Sequence, residues 1–259
     1  MAERSVFVGG NGRFVATELA RGPWDPQALH GGAPAALLMR EFEQVDSPDG
    51  LAIARVTYEF VRPVPLGELS VQASVVRPGR RVQLLEGVIR DAGGTEVVRA
   101  RALRVRRAEA IPDVSPDDLP AGPDEGRASD LLPGELPMFG SHATEIRFVA
   151  GEFYSVGPAT AWFRMRIPLV AGERASPLQR LAAAGDFGNG ISSALSWEDH
   201  VFINPDLTLY VEREPVGEWI CLEASTRIVS GGVGVAESVL YDESGRVGRA
   251  TQALLVAER

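Results

Sequence analysis

The heptapeptide VTYEFVR at residues 56–62 has a counterpart, LTLYVER, at residues 207–213, which lies 151 positions further along the chain. Each heptapeptide is followed shortly by proline and then by Gly-Glu. The runs RALRV at 101–105 and QALLV at 252–256 repeat the offset of 151. Chance could supply one such match, but several matches in the same order indicate an internal duplication.

Each half of the chain has the pattern of one helix and about five strands. The first helix is predicted over residues 31–43 and ends before the turn SPDG at 47–50. In the second half, Ser176 is typical of a helix N-cap and Pro177 of the first helical position, and the helix is predicted to reach residues 188–190. Strands are predicted within 6–19, at 54–61, 69–76, 82–89 and 96–105, and at 159–167, 207–212, 219–226, 233–241 and 247–256.

A segment rich in proline, aspartate and glycine separates the two copies. Its composition predicts a linker at residues 108–142 between an N-terminal unit, 1–107, and a C-terminal unit, 143–259. The alternative is a long surface loop within one domain. Two copies of one unit can pack about a pseudo-twofold axis.

Composition narrows the range of partners. The 259 residues carry 26 basic and 35 acidic side chains, a net charge of −9, which argues against nucleic acid or an anionic membrane as a partner. We expect no transmembrane helix and no signal peptide, and the lone Cys221 makes a cytoplasmic location the default. The three histidines, His30, His142 and His200, lack metal-ligand spacing, so no metal and no cofactor is expected.

The tetrapeptide LHGG at residues 29–32 opens the first predicted helix. It looks like the helix signature of hot-dog acyl-CoA thioesterases. Apart from the linker, the whole chain resembles the double hot-dog, type II acyl-CoA thioesterase-like family, and the C-terminal half is the closer match. The resemblance implies an α+β tandem hot-dog, in which a curled antiparallel sheet wraps the long helix of each copy. It also implies hydrolysis of an acyl-CoA partner and, because hot-dog sheets commonly assemble, a homo-oligomer.

The glycine pair Gly31 and Gly32 has a functional reason to stand at a helix start. A helix N-terminus offers unpaired N–H groups and a positive dipole end, which stabilise negative charge on a thioester carbonyl oxygen. Glycine lets a bulky substrate approach this backbone closely. We therefore expect an oxyanion-binding role for the pair, with His30 contacting substrate or loop backbone. The structural alternative is a capping or close-packing pair.

The acid is expected in the second copy. In single-domain hot-dog thioesterases with this signature, an acid often follows the histidine by nine residues, where this chain has Met39. Nine residues are about 2.5 helical turns, or ~14 Å, so such an acid must serve the helix of the other copy. Pro177 aligns with His30, which aligns Asp186 with Met39. The sequence thus predicts one composite site, where Asp186 faces the glycine pair, and an inactive counterpart at Met39.

Two further candidate residues, Thr226 and Gln252, follow from the resemblance, since the family pairs its aspartate with Thr or Ser and Gln on neighbouring strands. Gln252 lies in a strand that reads as apolar on both faces, where a buried amide needs hydrogen-bond partners. At the repeat offset, the first-copy counterpart of Gln252 is Arg101, and that of Thr226 is a valine, Val75 or Val76. Substitution at these positions agrees with a single site per chain.

The expected mechanism is deprotonation of water by Asp186, with Thr226 and Gln252 holding the water; direct attack by Asp186, giving an anhydride, is the alternative. The arginines at 77, 80 and 81 could meet coenzyme A phosphates or form an ordinary solvated turn.

Two other functions are weighed. A hot-dog enoyl-CoA hydratase would need Gly-Asp before an Asn-Pro pair, and the segment FINPDL has only Asn204 and Pro205. A non-catalytic acyl-CoA-binding protein is the other alternative. A serine hydrolase lacks its Gly-x-Ser-x-Gly elbow, and Cys221 lies in mid-strand without an evident histidine partner.

Overall fold

The computed structural model describes residues 4–108, 111–112, 119–129 and 136–259. Its strands form one 14-stranded sheet in which all strand pairs are antiparallel. In chain order the elements are β1 (Phe7–Gly10), β2 (Arg13–Ala16), α1 (Gly32–Gln44), β3 (Leu51–Phe60), β4 (Gly67–Arg77), β5 (Val82–Asp91), β6 (Glu96–Arg106), β7 (Arg127–Ala128), β8 (Thr144–Ala150), β9 (Ala159–Met165), α2 (Pro177–Gly185), α3 (Gly188–Ile191), β10 (His200–Ile203), β11 (Asp206–Val211), β12 (Ile220–Val229), β13 (Val233–Asp242) and β14 (Gly245–Glu258).

The two halves of the sheet each enclose a helix. Strands β4, β5 and β6 pack on α1, and β9, β11 and β12 pack on α2. Every residue of α1 from Gly32 to Arg40 is buried, as expected of a helix that is apolar on nearly all sides. Helices α1 and α2 also pack on each other. This is the predicted α+β architecture of a helix inside a curled antiparallel sheet, present twice.

The two halves join edge to edge through β3 and β11. Thr57 pairs with Thr208 in this register, and their Oγ1 atoms are 3.2 Å apart. These two threonines are also equivalent at the repeat offset of 151. Because equivalent residues pair with each other, the pseudo-twofold axis passes between them.

The second helix differs from its prediction at its C-terminal end. The Ser176 side chain caps α2 by accepting a hydrogen bond from the Gln179 N–H, as predicted, but α2 ends at Gly185. Asp186 closes the helix as its C-cap, and the separate turn α3 follows.

Strands β7, β8 and β10 were not predicted. Only four residues form β10, which pairs with the end of β14, so its sequence pattern is too short to be recognised. In the predicted linker 108–142, residues 109–110, 113–118 and 130–135 lie outside the described residues. Its described part contributes β7 to the sheet edge, and Ala121 accepts a hydrogen bond from Trp162 Nε1 at 2.7 Å. The limits of the two units stay a prediction.

No helix among the described residues is long and apolar enough to cross a membrane.

Candidate active site

The N-terminus of α1 meets the C-terminal end of α2. Gly32 allows this approach, since a Cβ at Gly32 would clash with the carbonyl oxygen of Ala183 in α2. The contact places Asp186 beside Gly31, as the sequence predicted for the composite site. A Cβ at Gly31 would lie only 2.7 Å from Oδ2 of Asp186, so glycine is required here as well.

The Asp186 carboxyl is buried, with 5% of the residue exposed. Its Oδ1 accepts hydrogen bonds from Asn204 Nδ2 at 2.7 Å and from Gln252 Nε2 at 3.2 Å. Its Oδ2 lies 3.2 Å from Nδ1 of His30. Burial raises the pKa of Asp186 to about 7, and hydrogen bonds from Asn204, Gly32 and Gln252 oppose that rise.

The two glycines of the pair have different partners. The Gly32 N–H donates to Nδ1 of His30 at 3.0 Å and also stabilises the Asp186 carboxylate. The Gly31 N–H donates to no acceptor among the described residues, and Gly31 lines the cavity beside Asp186. Of the two amides expected to bind the oxyanion, only that of Gly31 is therefore without an acceptor among the described residues.

His30 is a neutral residue of this site. Burial lowers its pKa to about 3, so the imidazole carries no charge at neutral pH. Its Nδ1 accepts the Gly32 N–H, and its ring packs on Phe187 with centroids 4.3 Å apart. His30 also lines the cavity, so both predicted contacts, with substrate and with loop backbone, are compatible with its position.

Gln252 reaches Asp186 and Thr226 does not. Gln252 donates to the backbone oxygen as well as to Oδ1 of Asp186, and its Oε1 accepts the Asn189 N–H at 3.1 Å. Thr226 instead bonds through Oγ1 to Oγ of Ser192 at 2.8 Å. Neither Gln252 nor Thr226 is among the residues that line the cavity, so the predicted contact of these two side chains with water in it lacks support.

The strand that carries Gln252 has apolar residues on both faces, but only one face is buried. Ala253 and Leu255 point outward, and Leu255 is 61% exposed, whereas Gln252 and Leu254 are buried. The alternation arises because one face of β14 covers α3 while the other meets solvent.

The sheet register corrects one predicted counterpart. Thr57 pairs with Arg101, and its equivalent Thr208 pairs with Thr251, so Gln252 corresponds to Ala102 and not to Arg101. The repeat offset is one residue shorter on this strand. The counterpart of Thr226 is Val75, because Thr226 reaches Gln252 across Ala236 as Val75 reaches Ala102 across Leu85.

A cavity of about 480 Å³ opens at this site. Asp186, His30 and Gly31 lie in its wall together with Asn204, which sequence reasoning considered only as part of a hydratase motif. The available signal for Asn204 was its position as a polar residue between the apolar run at 201–203 and Pro205. The remaining lining residues are mostly apolar or aromatic, with Arg62 exposed at the rim.

The basic turn between β4 and β5 lies far from this cavity. Arg81 accepts the N–H of Arg106, which pairs with Leu51 at the first end of β3. The cavity is lined by Phe60, at the other end of β3. The two ends are about 30 Å apart along a strand of this length. The arginines at 77, 80 and 81 are not among the residues that line the cavity, and their contact with coenzyme A phosphates stays a prediction.

Other chemistry is not favoured. Cys221 is buried near the start of β12, and burial raises the pKa of its thiol. Among the described residues, no group of three or more His, Cys, Asp or Glu side chains could hold a metal ion.

The fold and this site define a double hot-dog thioester hydrolase. Two family descriptions match the sequence: the acyl-CoA thioesterase N-terminal domain over residues 20–105 and the acyl-CoA thioesterase C-terminal domain over residues 116–256. The chain belongs to this acyl-CoA thioesterase family. No protein of curated function matches the sequence.

Three solved structures illustrate the likeness in fold. A protein described as a thioesterase II from Thermobifida fusca YX is 18% identical, with a TM-score of 0.74 over 97% of this chain and 95% of that chain. A hot-dog protein of unknown function from Alicyclobacillus acidocaldarius is 17% identical, with a TM-score of 0.72 over 98% and 95%. An acyl-CoA thioesterase II from Mycobacterium marinum is 17% identical, with a TM-score of 0.66 over 96% and 93%.

Proposed function

We propose that the protein hydrolyses an acyl-CoA thioester to the free acid and CoA, at one active site per chain between α1 and α2. The observation that carries the proposal is the buried Asp186 carboxyl, which lies beside the unpaired Gly31 N–H in the wall of one cavity. A carboxyl with a pKa of about 7 is close to half ionised at neutral pH, which suits a general base.

In the proposed reaction, the thioester carbonyl oxygen accepts a hydrogen bond from the Gly31 N–H at the positive end of α1. Asp186 takes a proton from water while the water oxygen attacks the carbonyl carbon. The resulting tetrahedral intermediate carries its negative charge on the oxygen held by Gly31. When it collapses, the carbon–sulfur bond breaks, and the proton passes from Asp186 to the departing CoA sulfur.

The neighbouring residues position this machinery. Asn204 and Gln252 both hold Oδ1 of Asp186, which leaves Oδ2 for the proton transfer. Neutral His30 accepts the Gly32 N–H and so fixes the glycine pair. We assign Thr226 a supporting role through Ser192. The Thr226 hydroxyl bonds to Oγ of Ser192, and Ser192 donates to the carbonyl oxygen of Gly188, which lies next to Gln252.

The deciding experiment measures thiol release from a panel of acyl-CoAs by wild type and by Asp186→Asn. The amide side chain keeps the shape and the acceptor for Asn204 but cannot take a proton, so kcat should fall by at least about 100-fold. Full activity in the variant would refute the assignment of the base. Binding of acyl-CoA without release from any member of the panel would favour a carrier function instead, and water addition to an enoyl-CoA would favour a hydratase.

A single-turnover reaction in ¹⁸O-labelled water separates the two possible roles of Asp186. If the carboxylate activates water, the first molecule of product acid carries the label. If the carboxylate attacks the thioester and water then opens the anhydride at the enzyme carbonyl, the first product takes its oxygen from Asp186 and is unlabelled. The proposal expects a labelled first product.

Assembly as a homo-oligomer stays a prediction, to be measured by light scattering on the purified protein.

A further inference from the structure

Three aromatic side chains, Trp24, Phe153 and Trp197, form one wall of the cavity, which we name the aromatic wall. The rings of Trp24 and Trp197 stack with centroids 4.8 Å apart and planes 10° from parallel. Phe153 lies 5.6 Å from Trp197. Buried Phe202 packs edge-on against both tryptophans, at 5.3 and 4.7 Å. These mutual contacts hold the rings of the aromatic wall in place, with Phe153 tilted by 35° against Trp197.

The cavity has the size of a small-molecule pocket. Its volume of about 480 Å³ lies in the lower half of the roughly 300–1,000 Å³ that is typical of such pockets. An acyl group of the size of one ring, together with its thioester, suits a pocket of this volume.

Gly190 connects the aromatic wall to the reacting centre. It follows Asp186 by four residues, in α3, and lines the same cavity. A Cβ at Gly190 would lie 3.6 Å from Phe153 and 4.0 Å from Trp197, which are ordinary contact distances. Neither a positive φ nor close packing requires glycine at this position, and its lack of a side chain leaves the cavity space beside the rings free.

We infer that the aromatic wall is the acyl subsite and that it selects a compact acyl group with an aromatic ring, such as an arylacetyl thioester. The inference rests on the proposed thioesterase function and deepens it. Aromatic side chains held in place in this way suit offset or edge-to-face packing with a substrate ring. A flexible alkyl chain gains less from such a wall and loses more rotational freedom when it is bound.

The first test compares kcat/KM for phenylacetyl-CoA, hexanoyl-CoA and palmitoyl-CoA. We expect phenylacetyl-CoA to exceed hexanoyl-CoA by about tenfold, the upper range for an aromatic pair, and palmitoyl-CoA to be the poorest substrate. Equal or higher values for either alkyl substrate, with activity still lost in Asp186→Asn, would overturn the acyl class and leave the thioesterase function standing. No release from any of the three would overturn the proposed function and this inference with it.

The second test adds one methyl group to the subsite. In Gly190→Ala, the ratio of kcat/KM for phenylacetyl-CoA to that for acetyl-CoA should fall by about tenfold, because one methyl in a filled pocket discriminates on this scale. The control is Gly10→Ala on β1, where a Cβ meets nothing within 4 Å and the cavity is not involved. An unchanged ratio in Gly190→Ala, with the thermal midpoint of unfolding also unchanged, would place the acyl group elsewhere and overturn the inference.

Discussion

The N-termini of α1 and α2 both meet an acidic side chain from the other copy, yet only one of them forms an open site. At α1, Asp186 faces a glycine pair and a cavity. At α2, Ser176 caps the helix through Gln179 N–H, and both side chains donate to Glu43, at 2.7 Å each. Glu43 is not among the residues that line the cavity.

The difference shows what converts a helix end into a reactive one. A serine cap satisfies a backbone donor and fills the space in front of it, whereas Gly31 leaves its N–H unpaired and the approach clear. The counterpart of Asp186, Met39, is fully buried, and its predicted inactivity stays a prediction. The acid beside the α2 N-terminus is Glu43, which was not predicted from the sequence and lies one turn further along α1.

Among the variants that test the difference between the two helix ends, Gly31→Ala is expected to have the largest effect. The added methyl would lie 2.7 Å from Oδ2 and 3.0 Å from the carboxyl carbon of Asp186, so the carboxyl must move. A displacement of this kind costs about 100-fold in kcat, measured by thiol release. The matched change at the other helix end, Ser176→Ala, should lower the free energy of unfolding by about 1 kcal/mol and keep kcat within about twofold. Equal losses of activity in both variants would contradict the assignment of a single site.

The next largest effect is expected from Asn204→Ala. Loss of the donor to Oδ1 removes a hydrogen bond to a charged group, worth ~1.5 kcal/mol or more, and so raises the pKa of Asp186 by about one unit. For wild type, kcat/KM should rise with pH around a midpoint near 7, and in the variant this midpoint should move up. Asn189→Ala removes an amide from the same cavity that does not contact the Asp186 carboxyl, so its midpoint should stay in place. A shift in both variants would point to a general change in the cavity.

The stability of Asp186→Asn tests the raised pKa of the buried carboxyl without any assay of activity. The pKa of Asp186 rises from 3.8 to about 7 on folding, so the folded state holds the extra proton between these values and stability falls as pH rises through that range. Above pH 7 the ionised carboxyl costs on the order of 4 kcal/mol, which the amide avoids. Denaturant unfolding should therefore find the variant more stable at pH 8 and no more stable at pH 4. A variant that is less stable at pH 8 would contradict the raised pKa of Asp186.

The smallest effect is expected from Glu43→Gln, the matched change at the closed helix end. The pKa of Glu43 is also raised by burial, so the amide should improve stability at neutral pH in the same direction. Because Glu43 is outside the cavity wall, kcat should stay within about twofold of wild type. A tenfold loss in thiol release would mean that the second helix end takes part in turnover.

Much of the fold followed from local pattern. Apolar alternation and turn residues located most strands, and the N-cap serine located the start of α2. The short strand β10 was missed, and with it the position of Asn204, because four residues carry too little periodicity and their partner on β14 is more than fifty positions away. The first-copy counterpart of Gln252 was misjudged by one residue, since the sequence offset alone cannot detect that the offset is one residue shorter on this strand.

The sequence by itself determined the duplication, the glycine pair and the aspartate that faces it, because these depend on spacing along the chain and on the geometry of a helix. Only the tertiary structure decided which N–H is unpaired, which side chains hold Oδ1 of Asp186 and where the cavity lies. Burial and hydrogen-bond partners arise from residues far apart in the chain, such as Asp186, Asn204 and Gln252. Those contacts set the pKa of the carboxyl, and no local pattern records them.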